Sequence, residues 1–311
     1  MKDDLIQFFN DFLLLFQKGE QVSKFLLPTF IIMIILERVA YRILKKRYNA
    51  KDAFSNILIT VTNFIFTVLI GGFLQFLIFI YLYQNFRLFE IGYRWYDWLL
   101  VLFLQELVFY IDHRLAHNTG FFWAFHQVHH SSKEFNVTNA SRGFILDSVF
   151  TKPLFYLMPI FGVSGYHLAV VVTLQFVWGI FNHTKFFKNM WLLEYILQTP
   201  SNHRVHHGTD IKYLDKNYGQ VFTIWDILFK TFKREEEEPT YGLTKNINTY
   251  NVAKIQLSGI SALLKQIRSA PKWSDKIKYL YMPPGWDHNG NHETTSALVE
   301  REANIKNINN N

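Results

Sequence analysis

Long apolar stretches constrain what this chain can fold into more than any other feature of its sequence. A helix that crosses a bilayer takes about 20 apolar residues, and residues 25–44, 58–83 and 98–111 approach or exceed that length. A further apolar run, 144–180, is broken by prolines and glycines, and its length favours a helical hairpin with its turn near 162–165. We therefore predict an all-α fold, a multipass transmembrane helical bundle of about four to five membrane segments. The alternative for each stretch is a buried core helix.

The distribution of charge favours a membrane protein and predicts its orientation. Charged residues make up 18% of the 311-residue chain, against about 25% in typical soluble domains. Five basic residues lie at positions 41–51, directly after the first apolar stretch. Basic residues in short loops favour the cytoplasmic side, so we expect a metal-site cap on the cytoplasmic face of a bacterial inner membrane, or of the endoplasmic reticulum in a eukaryote. The net charge of +7 then reflects this bias and attraction to anionic lipid, and we predict no nucleic-acid partner.

Composition divides the chain into four predicted segments. Residues 1–24 form an N-terminal segment, and residues 25–208 hold the transmembrane helices and a histidine-rich region. Residues 209–287 are more polar and are predicted to form a cytoplasmic, membrane-associated extension, in which 252–267 has amphipathic helical spacing. Residues 288–311 form a polar tail that we expect to be disordered.

Histidines carry the strongest chemical signal in the sequence. The chain has no cysteine, so any metal must be held by imidazole or carboxylate. On a helix, residues at i, i+3 and i+4 share one face, whereas adjacent residues diverge by about 100°. The adjacent pair of an HxxHH group could therefore address two different ions. Nine of the 12 histidines fall in four spaced groups and are the candidate metal ligands: His113, His117, His126, His129, His130, His183, His203, His206 and His207.

Nine imidazoles exceed what one metal ion can take. A structural zinc has four ligands and a catalytic zinc about three plus a water, so nine histidines suit two ions with about four or five nitrogens each. Without thiolates, ligand softness leaves iron, zinc, copper and nickel as candidates, of which iron is suited to oxygen chemistry. The other three histidines, His167, His288 and His292, are interpreted as ordinary hydrogen-bonding residues.

The order of the histidine groups resembles that of a known family. HxxxH at 113–117, HxxHH at 126–130, the single His183 and HxxHH at 203–207 resemble the histidine boxes of the fatty acid hydroxylase/sterol desaturase superfamily of membrane di-iron oxygenases. One departure is that many hydroxylases of the superfamily have a second histidine near the single one, whereas Phe187 stands four residues after His183 here.

Further stretches resemble one branch of this superfamily, the alkylglycerol monooxygenase-like members. The sequences at 123–136, 202–208, 215–219 and 283–286 are similar to that branch, and the resemblance covers roughly 25–286. It implies an enzyme with two iron ions that hydroxylates a lipid from the bilayer with O₂. In this branch, hydroxylation next to an ether oxygen gives a hemiacetal that collapses to an aldehyde and an alcohol.

The resemblance also implies an external reductant, because no flavin, haem or nicotinamide motif is visible in the sequence. A tetrahydropterin or another electron donor, such as an electron-transfer protein, would supply the electrons. Three alternatives stay open. The chain could be a sterol, fatty acid or carotenoid desaturase or hydroxylase, a zinc-dependent membrane hydrolase that consumes no O₂, or a non-catalytic metal- or lipid-binding relative.

Polar and aromatic residues near the boxes are candidates for supporting roles. Metal-bound imidazoles commonly donate their second N–H to a carboxylate, carbonyl or water. An acid inside an apolar segment is costly and is often functional, which applies to Asp147 in particular. A lipid path could be lined by Phe109, Phe150, Phe155 and Phe176, for which packing is the alternative. The candidate supporting residues are Asp112, Asn136, Asp147, Asn182 and Asp215.

Overall fold

The structure is a computed structural model that describes residues 24–309, apart from the side chains at 68, 69, 73, 148, 150 and 309. The predicted segment 1–24 therefore lies outside the described residues, except for Lys24. No strand occurs in the described part of the chain, which confirms the all-α class. The helices are α1 (Leu26–Ile43), α2 (Ala50–Phe66), α3 (Gly72–Phe86), α4 (Trp95–Asn118), α5 (Gly120–His130), α6 (Asp147–Phe150), α7 (Gly165–Asn182), α8 (Pro200–His206), α9 (Ile224–Leu228), α10 (Val252–Ser269), α11 (Trp273–Tyr281) and α12 (Thr295–Asn309).

The second apolar stretch lies within one extended helical element. The Asn49 side chain caps α2 by accepting a hydrogen bond from the Asp52 amide at 3.2 Å. A π-helical segment, Thr67–Gly71, then joins α2 to α3 without a break in helical backbone conformation. Segments of this kind lie within longer helices and are frequent near functional sites. This one borders the cavity described below, through Thr67.

The first two histidine groups lie on consecutive helices. α4 covers the third apolar stretch and continues to Asn118, so His113 and His117 occupy its last two turns. The extended backbone of Thr119 (φ −130°, ψ 133°) then separates α4 from α5. This break lets α5 bring the HxxHH group at 126–130 against the end of α4.

The predicted helical hairpin at 144–180 is wrong in its first half. That half consists of the single-turn α6, a 3₁₀ segment Pro153–Leu157 and irregular turns, and only α7 is a full helix. Proline lacks the N–H that a helix interior requires, and Pro153 and Pro159 stand six residues apart. The reversal itself falls near the predicted position, at Gly162, whose φ of 87° favours glycine.

The C-terminal region is packed onto the histidine-rich region. α10 lies so close to α5 that a Cβ at Gly259 would collide with the Ala124 carbonyl oxygen. Gln256 of α10 accepts a hydrogen bond from the Ile145 amide at 2.9 Å and donates to the Gly143 carbonyl at 3.0 Å. The tail also differs from expectation, because α12 is helical where disorder was expected.

One helix of the described region, α7, is long and apolar enough by length and composition to cross a membrane. α1 and α4 carry charged residues among their apolar ones; α1, for example, contains Glu37, Arg38 and Arg42. The second stretch has no charged residue, but the π-helical segment divides it between helices of 17 and 15 residues. Large apolar side chains are nevertheless exposed along α1, including those of Ile31, Ile35 and Ile43.

Candidate metal centre

The structure brings all nine candidate histidines together, in two adjacent groups. Within each group the nearest imidazole nitrogens all lie within 4.8 Å of one another. The five-histidine group consists of His113, His117, His126, His130 and His206. The four-histidine group consists of His129, His183, His203 and His207.

The five-histidine group is formed by α4, α5 and the end of α8. The Nε2 atoms of His113 and His126 are 3.1 Å apart, and those of His117 and His130 are also 3.1 Å apart. The Nε2 atoms of His126 and His130 are separated by 3.2 Å. Four rings from two helices thus point at one small volume, and the His206 ring closes it at 4.4 Å from the His113 ring.

The four-histidine group joins the other faces of the same elements. His183 follows α7 directly, and its Nε2 is 3.0 Å from that of His203 on α8. The His129 ring lies 4.6 Å from that of His207, and the His183 ring lies 5.1 Å from the same ring. Each HxxHH group therefore contributes two histidines to one group and one histidine to the other.

The adjacent histidines are divided between the two groups, as their angular divergence predicts. His130 joins the five-histidine group and His129 the four-histidine group; His206 and His207 are divided in the same way. The His130 and His207 rings face each other across the boundary at 4.4 Å between centroids. The two groups are therefore neighbours, and two metal ions bound in them would be close together.

The second ring nitrogens of several histidines are held by backbone carbonyls. Nδ1–H donates to Tyr218 O from His113 (2.8 Å), to Arg142 O from His129 (2.9 Å), and to Gly179 O from His183 (2.7 Å). A carbonyl can only accept, so Nδ1 carries the proton and Nε2 presents a lone pair to the centre. This is the tautomer that a metal requires.

Burial lowers the pKa of eight of the nine imidazoles and so favours their neutral form. Burial, together with the neighbouring imidazoles, lowers the pKa of His203 and His207 well below the ordinary value. Burial also lowers the pKa of His129 to about 4. Neutral imidazole is the metal-binding form, so these rings are prepared for metal at neutral pH.

The residues fit a pair of metal ions. The buried Nε2 atoms of His206 and His207 have no hydrogen-bond partner among the described residues. A buried polar atom without a partner is costly, and converging lone pairs repel one another unless a cation lies between them. A metal ion in each group would satisfy both requirements with imidazole, a ligand suited to iron or zinc.

A cavity of about 420 Å³ opens onto both histidine groups. His113 and His126 of the five-histidine group line it, as do His129, His183 and His203 of the four-histidine group. Three of the predicted aromatic residues, Phe109, Phe155 and Phe176, also line this cavity, whereas the Phe150 side chain lies outside the described residues. Apolar walls beside a histidine cluster suit a lipid chain.

Of the five candidate supporting residues, Asp215 is the one found against a ligand ring. Its Oδ1 lies 3.6 Å from His117 Nδ1. Burial alone would raise the pKa of Asp215, but interactions with His117 and with Thr295 and Tyr218 hold the pKa below its ordinary value. Asp215 therefore remains a carboxylate beside the five-histidine group.

The other four candidates support the backbone or line the cavity. Asp112 accepts from the Leu154 amide at 3.1 Å, and Asn136 accepts from Thr138 N at 3.0 Å. Asp147 lines the cavity and accepts from the Thr151 hydroxyl at 2.9 Å, and Asn182 donates to Gln220 O at 3.3 Å. Their contacts position the chain around the boxes rather than the rings themselves.

Two buried ionisable residues that support the site were not singled out from the sequence. Glu106, fully buried on α4, accepts hydrogen bonds from the Val221 and Phe222 amides at 2.9 and 3.1 Å. It anchors the segment that follows Tyr218. Arg142 donates to Val128 O at the end of α5 and to Asn56. An acid inside an apolar stretch was the available signal for Glu106, as it was for Asp147.

Comparison with known proteins agrees with the geometry. A fatty acid hydroxylase family model matches residues 98–231. Human alkylglycerol monooxygenase is 32% identical over 280 residues, covering 87% of this chain and 62% of the human protein. The Xenopus tropicalis alkylglycerol monooxygenase is 35% identical over 210 residues, covering 67% of this chain and 47% of that protein. Ornithine lipid hydroxylase OlsE of Rhizobium tropici is 33% identical over 141 residues, covering 43% of this chain and 40% of that protein.

The chain spans about half to two thirds of the length of these alkylglycerol monooxygenases. No solved structure matches the chain significantly. The family-model match contains all nine histidines of the two groups and the segment with Asp215 and Tyr218. The histidine-bearing region of this chain, residues 98–231, therefore belongs to the fatty acid hydroxylase family.

Proposed function

We propose that this chain is an O₂-dependent lipid monooxygenase whose two histidine groups each hold one iron ion. The observation that carries the proposal is the pair of adjacent groups of buried, neutral imidazoles that open onto one apolar-walled cavity. The similarity to alkylglycerol monooxygenases over 87% of the chain supports the same chemistry.

Each part of the site has a task in this reaction. The five-histidine group would hold one iron and the four-histidine group the other, and the iron pair would supply O₂ activation for attack on a C–H bond. Carbonyl partners such as Tyr218 O and Gly179 O fix the His113 and His183 rings. Phe109 and Phe176 exclude water from the cavity and hold an apolar chain beside the histidines.

The substrate class is proposed from the relatives. Their names describe enzymes that act on alkylglycerols, an ornithine lipid and a sterol, so an apolar lipid is common to all three. The longest similarity is to the alkylglycerol enzymes. We therefore propose a glycerol ether lipid, hydroxylated next to the ether oxygen and released as an aldehyde and an alcohol.

The lipid would come from a bilayer in which the chain is embedded. α7 has the length and composition of a span, and exposed apolar side chains on α1, such as Ile31 and Ile35, suit contact with lipid. The basic residues at 41–51 favour the cytoplasmic side for the histidine groups. A multipass protein with a cytoplasmic site is the arrangement that we propose.

The test combines metal content with lipid turnover. Protein purified in detergent and loaded with ferrous iron would be given 1-O-hexadecylglycerol, O₂ and a reductant, with a tetrahydropterin first and other donors in parallel. We expect fatty aldehyde to form only in the presence of O₂. Hexadecanol and glycerol formed without O₂ would favour a hydrolase, and product from a sterol or fatty acid alone would move the substrate to those classes.

A further inference from the structure

We propose that Gln105 forms a polar end of the cavity that binds a hydroxyl group of an uncharged, hydroxylated lipid headgroup. The inference rests on the proposed function, because it assigns the headgroup of the lipid that the histidine site would oxidise. It starts from an unsatisfied buried amide in the wall of that same cavity.

Gln105 is the unusual residue of the cavity wall. Its side chain lines the cavity, the residue is 5% exposed, and its Oε1 has no hydrogen-bond partner in the described part of the chain. Leaving a buried polar group unpaired is unfavourable by about 1–3 kcal/mol. An amide oxygen kept in an apolar helix without a protein partner points to a partner that arrives with a ligand.

The position of Gln105 relative to the histidines limits the distance between the bound hydroxyl and the carbon that is oxidised. Gln105 precedes His113 by eight residues on α4, and Gln175 on α7 precedes His183 by the same number. Eight residues of α-helix correspond to about 12 Å along the axis. Both amides line the cavity two turns from the histidines, which leaves room for a short headgroup between the two levels.

Gln175 is already fixed by the protein, which makes Gln105 the adaptable member of the pair. The Gln175 Nε2 donates to Glu106 Oε1 at 2.5 Å, and the Gln220 Nε2 donates to the Gln175 carbonyl at 3.0 Å. Glu106 is in turn held by the Val221 amide. Since these contacts hold the wall in place, the Gln105 oxygen is presented to the cavity by a rigid support.

The charges of the wall favour a neutral headgroup. Asp112 and Asp147 contribute two acidic groups to the lining, and Arg142 and Lys152 contribute two basic groups. Arg142 is already used, since its guanidinium donates to Val128 O and Asn56. The lining therefore has no excess of free cations for a phosphate. The unpaired Oε1 of Gln105 is a hydrogen-bond acceptor, and a hydroxyl group can donate to it.

Between the amides and the histidines the wall is apolar. Val108 and Phe109 of α4 and Val172 and Phe176 of α7 line that part of the cavity. A headgroup hydroxyl at Gln105 would therefore place the less polar part of the lipid along this wall. In this arrangement the headgroup hydroxyls select the substrate.

The experiment is a thermodynamic cycle that combines one substitution in the protein with one chemical change in the ligand and measures lipid binding. Gln105→Leu keeps the volume and removes the amide, and the 2,3-di-O-methyl ether of 1-O-hexadecylglycerol removes the donating hydroxyls. Binding of each lipid to iron-loaded protein in detergent would be measured without reductant, so that turnover is not needed. Gln84→Leu, at an exposed position on α3, is the matched control.

We expect Gln105→Leu to weaken binding of the diol about 10-fold, the loss of one well-made hydrogen bond. It should change binding of the dimethyl ether less than twofold, and Gln84→Leu should change neither. Equal effects on both lipids, or no effect on the diol, would overturn the proposal. If Gln105→Leu loses iron or fails to fold, Gln105→Asn replaces it, with an expected selective loss for the diol of about threefold.

A third ligand tests the charge of the headgroup. We expect the 3-phosphate of 1-O-hexadecylglycerol to bind the wild-type protein at least about 10-fold more weakly than the diol, and tighter binding would contradict a neutral headgroup. The outcomes separate the two proposals. Selective diol binding without aldehyde formation would reject the monooxygenase but keep the Gln105 site. Aldehyde formation by a protein in which Gln105→Leu affects both lipids equally would keep the monooxygenase and reject the Gln105 site.

Discussion

The two histidine groups draw on the same HxxHH boxes but are supported by different parts of the chain. In the five-histidine group, the second nitrogens of His113 and His206 donate to the carbonyls of Tyr218 and Lys216, and that of His117 faces Asp215. In the four-histidine group, His183 donates to Gly179 on the preceding helix and His129 to Arg142.

The two groups therefore differ in their outer support: a loop supports the five-histidine group, whereas α7 and the Arg142 carbonyl support the four-histidine group. The loop at 215–218 includes two non-glycine residues with left-handed backbone, Asp215 (φ 57°) and Asn217 (φ 55°). Asn217 is fully buried, and its side chain donates to Asn202 O and Lys233 O. We infer that the five-histidine group depends on this loop, whereas the four-histidine group depends on α7 and on Arg142.

The largest effects should come from removing one ligand from either group. His129→Ala takes a ring from the four-histidine group and His206→Ala takes one from the five-histidine group. Because loss of an outer partner alone typically costs 10–100-fold, we expect each change to reduce aldehyde formation by more than about 100-fold. Retained activity in both variants, with normal membrane insertion, would contradict a function for the two groups.

The next largest effect should come from Arg142, the support of the four-histidine group. Its buried guanidinium lies 3.8 Å from the Asp52 carboxylate and donates to Ser131 Oγ at 2.7 Å. Arg142→Met would leave that carboxylate buried without its cationic partner, so we expect a loss of about 3–5 kcal/mol in the free energy of unfolding. Asp52→Asn added to Arg142→Met should recover part of it. Thermal unfolding of the two variants measures both effects, and an unchanged midpoint for Arg142→Met would refute the assigned support.

Asp215 tests the loop side of the comparison. Asp215→Ala removes the carboxylate beside His117, and we expect metal affinity in the five-histidine group to fall about 10- to 100-fold. The four-histidine group should keep its metal. Asp215→Asn is the matched variant, because Asn tolerates the left-handed backbone, and it should lose less. The measurement is a metal titration that resolves the two sites. Equal weakening of metal binding at both sites would contradict the different supports assigned to the two groups.

The smallest effect should come from the contact between α10 and α5. Gly259→Ala would push α10 away from the Ala124 carbonyl, which we expect to destabilise the fold by about 1–3 kcal/mol. Metal binding in both groups should weaken together, since α5 contributes histidines to each. Ser261→Ala, at an exposed position of the same helix, is the control. A stability as high as that of the control would mean that the C-terminal helices are dispensable for α5.

Much of the histidine arrangement could be predicted from the sequence because it depends on local helical geometry. The i, i+4 spacing of His126 and His130 and of His203 and His207 places each pair in one group. The neighbouring histidine falls in the other group because it diverges around the helix. The all-α class was predicted from the length of the apolar stretches, which is also a local property of the sequence.

What escaped prediction depends on long-range contacts. The Tyr218 and Arg142 carbonyls that orient the rings are backbone atoms, and no side-chain pattern identifies them. The prediction of a helical hairpin was wrong in its first half, a local error, because it gave apolar composition more weight than Pro153. The tail was expected to be disordered from polarity alone, but α12 is helical.

The most direct test of this account is the iron content per chain of iron-loaded protein, measured together with His203→Ala and His130→Ala. These variants remove one ligand from the four-histidine and five-histidine groups, respectively. We predict about two irons in the wild-type protein and about one in each variant. One iron in the wild-type protein, or complete loss in both variants, would contradict two separate metal sites.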